Sequence, residues 1–228
     1  MITLTYFGHS AFSISSPLGT VLIDPFLQSS AENIVNPLDL DVQAILLTHG
    51  HGDHVGQALE IAHNTKAVVV TTFELANYLA KKGVKTHAMH IGGTFQFPFG
   101  KVRIFPALHG GGIAGADAAQ FTCTPCGFVF TVEGKSFYHA GDTGLTKEME
   151  QLGDYFPVDV AILPIGGNFT MDANDALIAL TMIKPKFVIP MHFNTFPLIQ
   201  TDPERFVNRA REKGIDGKVL SVGERLQF

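Results

Sequence analysis

The chain has 228 residues, of which 46% are hydrophobic and 16% charged, and its formal net charge is −5. That length is enough to bury a sizeable apolar core in one large domain, while the acidic balance offers no broad basic surface of the kind that tracks a phosphate backbone. A dedicated nucleic-acid binder is thereby disfavoured, and no apolar run approaches the roughly 20 residues of a membrane span.

The opening MITLTYFGHSAFS has neither the basic nor the apolar region of a secretory signal, so a cytoplasmic protein is expected. ITLTYF, AFSI and TVLIDPF read as strands, with His9 in the turn between the first two and Asp24 ending the third. QAILLT is a fourth strand and runs into THGHGDH. DHVGQALEIAHN places Val55, Leu59 and Ala62 on one stripe, which predicts a helix over 53–64 with Asp53 as its N-cap. AVVVTT then reads as a strand and FELANYLAKKG as a helix stopped by two lysines and a glycine. TFQFPF and KVRIFPA are further strands, the second leading to His109 and three glycines. Cys123 and Cys126 form a single C-x-x-C that precedes a strand, CGFVFTV, and not a helix, so they read as two reduced thiols beside a turn. SFYHAG, VDVAILPI and KFVIPM complete the strands. MDANDALIALTMIKP predicts a helix with Asp172 at its capping position, and DPERFVNRAREKG one with Asp202 as N-cap before Pro203. Two β-rich halves, each trailed by helices, suit two sheets packed face to face with helices outside, an α+β sandwich in one domain over 1–228.

The chemistry concentrates in HGHGDH. His49, His51, Asp53 and His54 are the imidazole and carboxylate groups that zinc and similar ions take. Gly50 and Gly52 alternate with the first two, and glycines can adopt positive φ and let a backbone curl round an ion. Four such groups on one turn cannot all reach a single ion, so two ions or outside ligands are implied. The candidates outside are His109 in FPALHGGG, Asp142 in YHAGDTG and His192 in FVIPMHFN, each at a strand end beside small or flexible residues. Two divalent ions a few ångströms apart would bring a shared water's pKa toward neutrality, giving a hydroxide nucleophile with no serine or cysteine involved.

With those residues in place, the chain resembles the metallo-β-lactamase superfamily of metal-dependent hydrolases nearly end to end. Asp24 fits the first motif, His49, His51, Asp53 and His54 fit H-x-H-x-D-H, and His109, Asp142 and His192 fit the other three in order. YFGHS and PMHFNTFPLI resemble a compact bacterial branch related to the L-ascorbate-6-phosphate lactonases. The resemblance implies a four-layer αββα sandwich of two mixed β-sheets flanked by helices. It implies two divalent metal ions, zinc first and manganese or iron as alternatives. His49, His51 and His109 would hold one, Asp53, His54 and His192 the other, and Asp142 both. Asp53 would orient the nucleophile and pass a proton to the leaving group, and His9 would donate to the developing oxyanion, its alternative being a buried structural histidine.

Asp24 reads either as a support for the ligands or as a plain turn before Pro25. His139 reads as a strand residue or one behind the ligands, while His63, His87 and His90 have no partner motif. Asn168 and Asp172 are candidates for a pocket wall, and capping explains Asp172 at least as well. The expected activity is hydrolysis of a small ester, lactone or phosphoester. A nuclease acting on short oligonucleotides and a metal-dependent sensor without turnover are the alternatives. Partners are expected to be a small-molecule substrate, with no stable nucleic-acid complex and no membrane, and a homo-oligomer is left open.

Overall fold

The structure, a computed structural model, describes residues 1–28, 36–117 and 121–228. In chain order the elements are β1 (Thr3–Gly8), β2 (Ala11–Ser16), β3 (Gly19–Ile23), β4 (Ala44–Leu46), α1 (Gly52–Val55), α2 (Ala58–Thr65), β5 (Val68–Thr72), α3 (Phe73–Ala80), β6 (Thr86–Met89), β7 (Thr94–Phe97), β8 (Gly100–Pro106), β9 (Cys126–Val132), β10 (Lys135–His139), α4 (Glu150–Tyr155), β11 (Val160–Pro164), α5 (Ala173–Ile183), β12 (Phe187–Met191), α6 (Pro203–Glu212), β13 (Asp216–Gly217) and β14 (Arg225–Gln227). They form two seven-stranded sheets, ordered β14-β1-β2-β3-β4-β5-β6 and β13-β12-β11-β10-β9-β8-β7. Both sheets are mixed in the same way. In each, an antiparallel meander gives way to parallel strands, at the β3–β4 pair in the first sheet and the β10–β11 pair in the second.

Side-chain alternation sorts the layers. Val21, Ile23, Ala44, Leu46 and Val70 join the large core shared with β8 to β12, while their neighbours Leu22, Ile45 and Val69 face α2 and α3. Successive strand residues point to opposite faces, so the first sheet is covered by the second on one side and by helices on the other. The second sheet repeats the arrangement with α5 and α6, whose Leu177, Leu180, Phe206 and Val207 are buried against it. This is the expected sandwich of two mixed sheets between helices. None of the helices among the described residues is long and apolar enough to cross a membrane.

Several local expectations need correcting. The helix predicted over 53–64 is two helices, broken at Gly56. There φ is +42°, and a Cβ would lie 2.3 Å from the Pro25 carbonyl oxygen, so the stretch after β3 occupies the space a continuous helix would need. Asp53 is not an N-cap, because α1 starts after His51 and has no side-chain cap; Asp53 instead turns to His9. Asp172 and Asp202 do cap their helices, accepting from Asn174 and Asp175 N–H and from Arg205 N–H. β6, α4, β13 and β14 were not among the predicted elements.

Candidate metal centre

Every site residue follows a strand at the same edge of the sandwich, and those after β3, β4 and β10 stand where the sheets switch from antiparallel to parallel pairing. His9 follows β1, Asp24 follows β3, the 48–54 turn follows β4, His109 follows β8, Asp142 follows β10 and His192 follows β12. Such switch points leave a crevice that adjacent connections do not fill. Three of these residues are held in left-handed backbone: His9 at φ 53°, Asp24 at 43° and His192 at 53°. Non-glycine residues adopt that region infrequently, and Asn, Asp and His tolerate it better than most. The irregular register of the β1–β2 hairpin between Tyr6 and Gly8 puts His9 in its tight connection. His192 N–H then donates to the His9 carbonyl at 3.0 Å, joining the two sheets.

Gly50 and Gly52 have a different role from the one expected. Neither has positive φ. Gly50 is needed for close approach, since a Cβ there would lie 2.7 Å from the Gly112 carbonyl oxygen, whereas at Gly52 it would make ordinary contact with Ala114 at 3.7 Å. The turn is thus pressed against the 110–114 loop that follows His109, and the two are joined by Ala114 N–H donating to the Gly50 carbonyl at 2.7 Å.

Asp24, fully buried, organises the inner half of the site. Its carboxylate accepts from Thr48 N–H at 2.9 Å, from the Thr48 hydroxyl at 2.6 Å and from His54 Nδ1 at 2.7 Å. Because the Thr48 hydroxyl gives its hydrogen to Asp24, it accepts from His49 Nδ1 at 3.0 Å. Both imidazoles therefore carry a hydrogen on Nδ1, which leaves Nε2 as the ion-facing nitrogen, bare in His49 and freed in His54 when its second proton is displaced. His49 Nε2 faces His51 Nδ1 at 2.9 Å, and His54 Nε2 faces Asp142 Oδ1 at 3.1 Å. His54 Nε2 and Asp142 Oδ1 are buried and face only each other, while His192 Nδ1 is buried with no hydrogen-bond partner among the described residues.

Donor atoms converge in three groups, each within 4.8 Å: His49, His51 and His109; His9, Asp53, His54 and His192; and His49, His54 and Asp142. Asp142 lies between the first two groups, its Oδ2 3.5 Å from His109 Nε2 and 3.0 Å from His192 Nε2. Imidazole nitrogen with carboxylate oxygen is the donor chemistry of zinc, manganese and iron, and so many buried donor atoms turned toward one another are what a cation would satisfy. The residues present fit a divalent metal.

Electrostatics follow from burial and mutual approach. Burial pushes the His49 and His109 imidazoles below the usual histidine value. It pushes His54 down as well, but Asp142 and Asp24 on either side outweigh it and hold that ring well above the usual value. Burial would raise Asp142, and the charges and hydrogen bonds of His54 and His192 overcome it. Asp53 is likewise held low against its burial, by His9 and His54. His9 is lowered chiefly by burial, against the hydrogen bond it donates to Asp53. Without an ion, therefore, Asp53 and Asp142 are held in the charged form, His9, His49 and His109 toward the neutral form, and His54 toward the protonated one.

His9 links the site to the loop after β12. Its Nε2 lies 3.2 Å from Asp53 Oδ2 and its Nδ1 2.9 Å from Thr195 Oγ1. A carboxylate only accepts, so the His9 hydrogen sits on Nε2 and the Thr195 hydroxyl donates to Nδ1. Neither Thr48 nor Thr195 carries a signature in sequence, because a single hydroxyl has no diagnostic spacing. His139 is buried behind the site, its Nε2 donating to the Ser10 carbonyl at 2.9 Å and its Nδ1 accepting from Gly141 N–H at 3.2 Å. Asp172 caps its helix, and the exposed Asn168 stands at φ 54° in the adjoining loop. Cys123 and Cys126 are free and buried, which pushes both thiols up. His87 and His90 pack on Phe95 and Phe73, and His63 Nδ1 bonds the Leu59 carbonyl of its own helix.

A family model described as a β-lactamase superfamily domain matches residues 19–193. A UPF0173 metal-dependent hydrolase of Bacillus cereus is 47% identical over 223 residues, 97% of each chain. One from Anoxybacillus flavithermus is 46% identical over 226 residues, 99% of each. Among solved structures, a metallo hydrolase from the hyperthermophilic archaeon Ignicoccus hospitalis superposes with a TM-score of 0.88 at 34% identity, over 100% of this chain and 99% of that one. An isothiocyanate hydrolase from Delia radicum gut bacteria, 22% identical with a TM-score of 0.77 over 99% of this chain and 98% of its own, shares the fold. Matches of this extent and identity, over a sandwich whose strand ends gather histidines and aspartates, make the chain a member of the metallo-β-lactamase superfamily and, within it, of the UPF0173 metal-dependent hydrolases.

Proposed function

We propose that this chain, acting as one domain, is a dinuclear metal-dependent hydrolase of small esters, lactones or phosphoesters. His49, His51 and His109 hold one divalent ion, Asp53, His54 and His192 the second, and Asp142 contributes to both. The observation that supports this best is the convergence of ring nitrogens and carboxylate oxygens on either side of Asp142, with His54 Nε2 and Asp142 Oδ1 facing only each other in the interior. Divalent ions bound there would supply a lowered water pKa and polarisation of the bond to be cleaved.

The protein's own groups do the remaining work. Asp24 and Thr48 hold His54 and His49 with their Nε2 lone pairs directed inward. Asp53, partly exposed and charged, accepts a proton from the attacking water and delivers it to the leaving oxygen. His9 Nε2–H, held by Thr195, donates to negative charge developing on the substrate oxygen. A lactone belongs to this substrate class, in keeping with the resemblance of YFGHS and PMHFNTFPLI to the lactonase branch. Zinc is the first candidate metal, with manganese and iron as alternatives.

The test is elemental analysis of the purified protein, followed by a screen of chromogenic carboxylic esters, lactones and phosphate mono- and diesters. Two ions per chain and turnover of at least one class are expected, and Asp53→Ala should lose both turnover and metal. Full metal content with full activity in that variant would refute its role, and full loading with silence across the panel would indicate binding without turnover.

A further inference from the structure

The loops around the site lack lysine and arginine. Residues 8–10, 24–28, 47–57, 107–117, 140–146, 165–172 and 192–201 contain no lysine or arginine, although the chain has 16. The nearest arginines after these loops, Arg205 and Arg209, line a separate cavity of about 270 Å³ together with the carboxylates of Asp172 and Asp202, and Arg209 is bonded to Asn174 at 2.7 Å.

What the loops do expose is apolar. Phe26 and Phe196 set their rings edge-on to His9, with centroids at 5.9 and 5.4 Å. Leu198, two residues on from Phe196, is 67% exposed, and Leu108, beside His109, is 65% exposed. Phe169 is 50% exposed on the 166–171 loop, whose Gly166 packs so closely on His192 that a Cβ there would lie 2.3 Å from its carbonyl oxygen. Large side chains exposed together around a site indicate a surface that an apolar group covers. Sites built for phosphate or carboxylate groups normally add arginine or lysine for the oxygens they recognise.

Resting on the hydrolase reading, we propose that the substrate is an uncharged carboxylic ester or lactone whose acyl group carries an aliphatic or aromatic substituent, in preference to any phosphoester or oligonucleotide. The oxygen of water bonds to the acyl carbon. The acyl carbon–oxygen bond breaks with its electron pair remaining on the alcohol oxygen, and the proton lost by water ends on that oxygen. Phe196 and Leu198 receive the substituent, while His9 and Asp53 face the carbonyl.

The test compares three esters with one leaving group on the zinc-loaded protein: 4-nitrophenyl acetate, 4-nitrophenyl hexanoate and the mono-4-nitrophenyl ester of adipic acid, which matches hexanoate in length but ends in a carboxylate. The specificity constant kcat/KM should be about tenfold or more higher for hexanoate than for either of the others. Phe196→Ala and Leu198→Ala should raise KM for hexanoate and bring its constant toward that of acetate. Saturation-transfer NMR with the uncleaved amide hexanamide should show contact at the alkyl protons, weakened in both variants. Equal constants for hexanoate and the adipate ester, or faster turnover of bis(4-nitrophenyl) phosphate than of hexanoate, would overturn the proposal. Silence on every substrate with the hexanamide contact intact would overturn the hydrolase reading and leave the apolar-group assignment standing.

Discussion

Replacing Asp24 with asparagine should weaken metal binding without touching a ligand. Asparagine suits the backbone, because it tolerates the left-handed φ of 43° as well as aspartate does. One oxygen continues to accept from Thr48 N–H, but the other becomes an NH2 group facing Thr48 Oγ1 and His54 Nδ1, which lie 2.6 and 2.7 Å from the present oxygen. Its two hydrogens would enter both bonds in the reverse sense. The Thr48 hydroxyl, now accepting, turns its own hydrogen to His49 Nδ1 at 3.0 Å. Both rings are then driven to carry hydrogen on Nε2, the nitrogen needed for an ion. Recovering a bare Nε2 means giving up a neutral hydrogen bond of about 0.5–1.5 kcal/mol at each ring. The summed loss of about 1–3 kcal/mol corresponds to a roughly 5- to 150-fold drop in affinity, which spans the roughly 10- to 100-fold seen when a partner behind a metal ligand is removed. Competition with a metal-buffering chelator, read by elemental analysis, would give the affinity, and ¹⁵N shifts of the His49 and His54 rings would report the tautomers. Affinity within about twofold of the native protein with unchanged tautomers would refute the reasoning.

Three further predictions address the frame of the site. Gly111→Ala should destabilise the protein by about 3 kcal/mol, since its Cβ would lie 1.8 Å from the Cys123 carbonyl oxygen, whereas Gly110→Ala meets nothing nearer than His51 at 3.6 Å; equal thermal midpoints for the two variants would contradict this packing. In the chelated protein, burial holds His9, His49, His109 and His139 low, while His54 is held high by Asp142 and Asp24 against its own burial. Below the unfolded imidazole value of about 6.5 the unfolded chain takes protons that the four low rings refuse, so stability falls as pH drops; above it, the folded chain keeps a His54 proton that the unfolded chain has released, so stability falls as pH rises. The urea midpoint should therefore peak near pH ~6.5, and a steady rise from acid to alkaline pH would count against these directions. Thr195→Val removes the hydroxyl at 2.9 Å from His9 Nδ1 and should shift the His9 ring ¹⁵N resonances, with Thr195→Ser restoring them; identical spectra in all three proteins would show that Thr195 does not set the tautomer.

The sandwich was legible because its buried strands are long apolar runs: AILL, VVVTT, GFVFTV and VAILP sit where the periodicity placed them. The same reasoning missed β14, whose three residues are polar or half-buried, and β6, whose THAM at a sheet edge buries only Met89 and has no apolar alternation to find. It missed α4 because a glycine interrupts it, and that glycine is there for contact, its Cβ position being 2.2 Å from the Met182 carbonyl oxygen of α5. The donor residues were recognisable by type and spacing. Their hydrogen-bond directions were not, since the bonds from Thr48 to Asp24 and from Thr195 to His9 join residues 24 and 186 positions apart. Asp24 read equally well as a turn, and only its burial and three donors distinguish the two.

The 186-residue span between His9 and Thr195 also bears on folding. A contact so distant in sequence forms only when β12, which leads to Thr195, has docked beside β11, and the intervening loops must be closed before it is rewarded. Neither half of the chain contains both members, so a folding intermediate with only the first sheet formed would hold the HGHGDH turn and His9 beside Asp53 but no Thr195 on the other ring nitrogen. The geometry proposed for catalysis thus appears at the end of assembly, and the ring orientation of His9 serves as a timer for it, reporting when the two halves have come together.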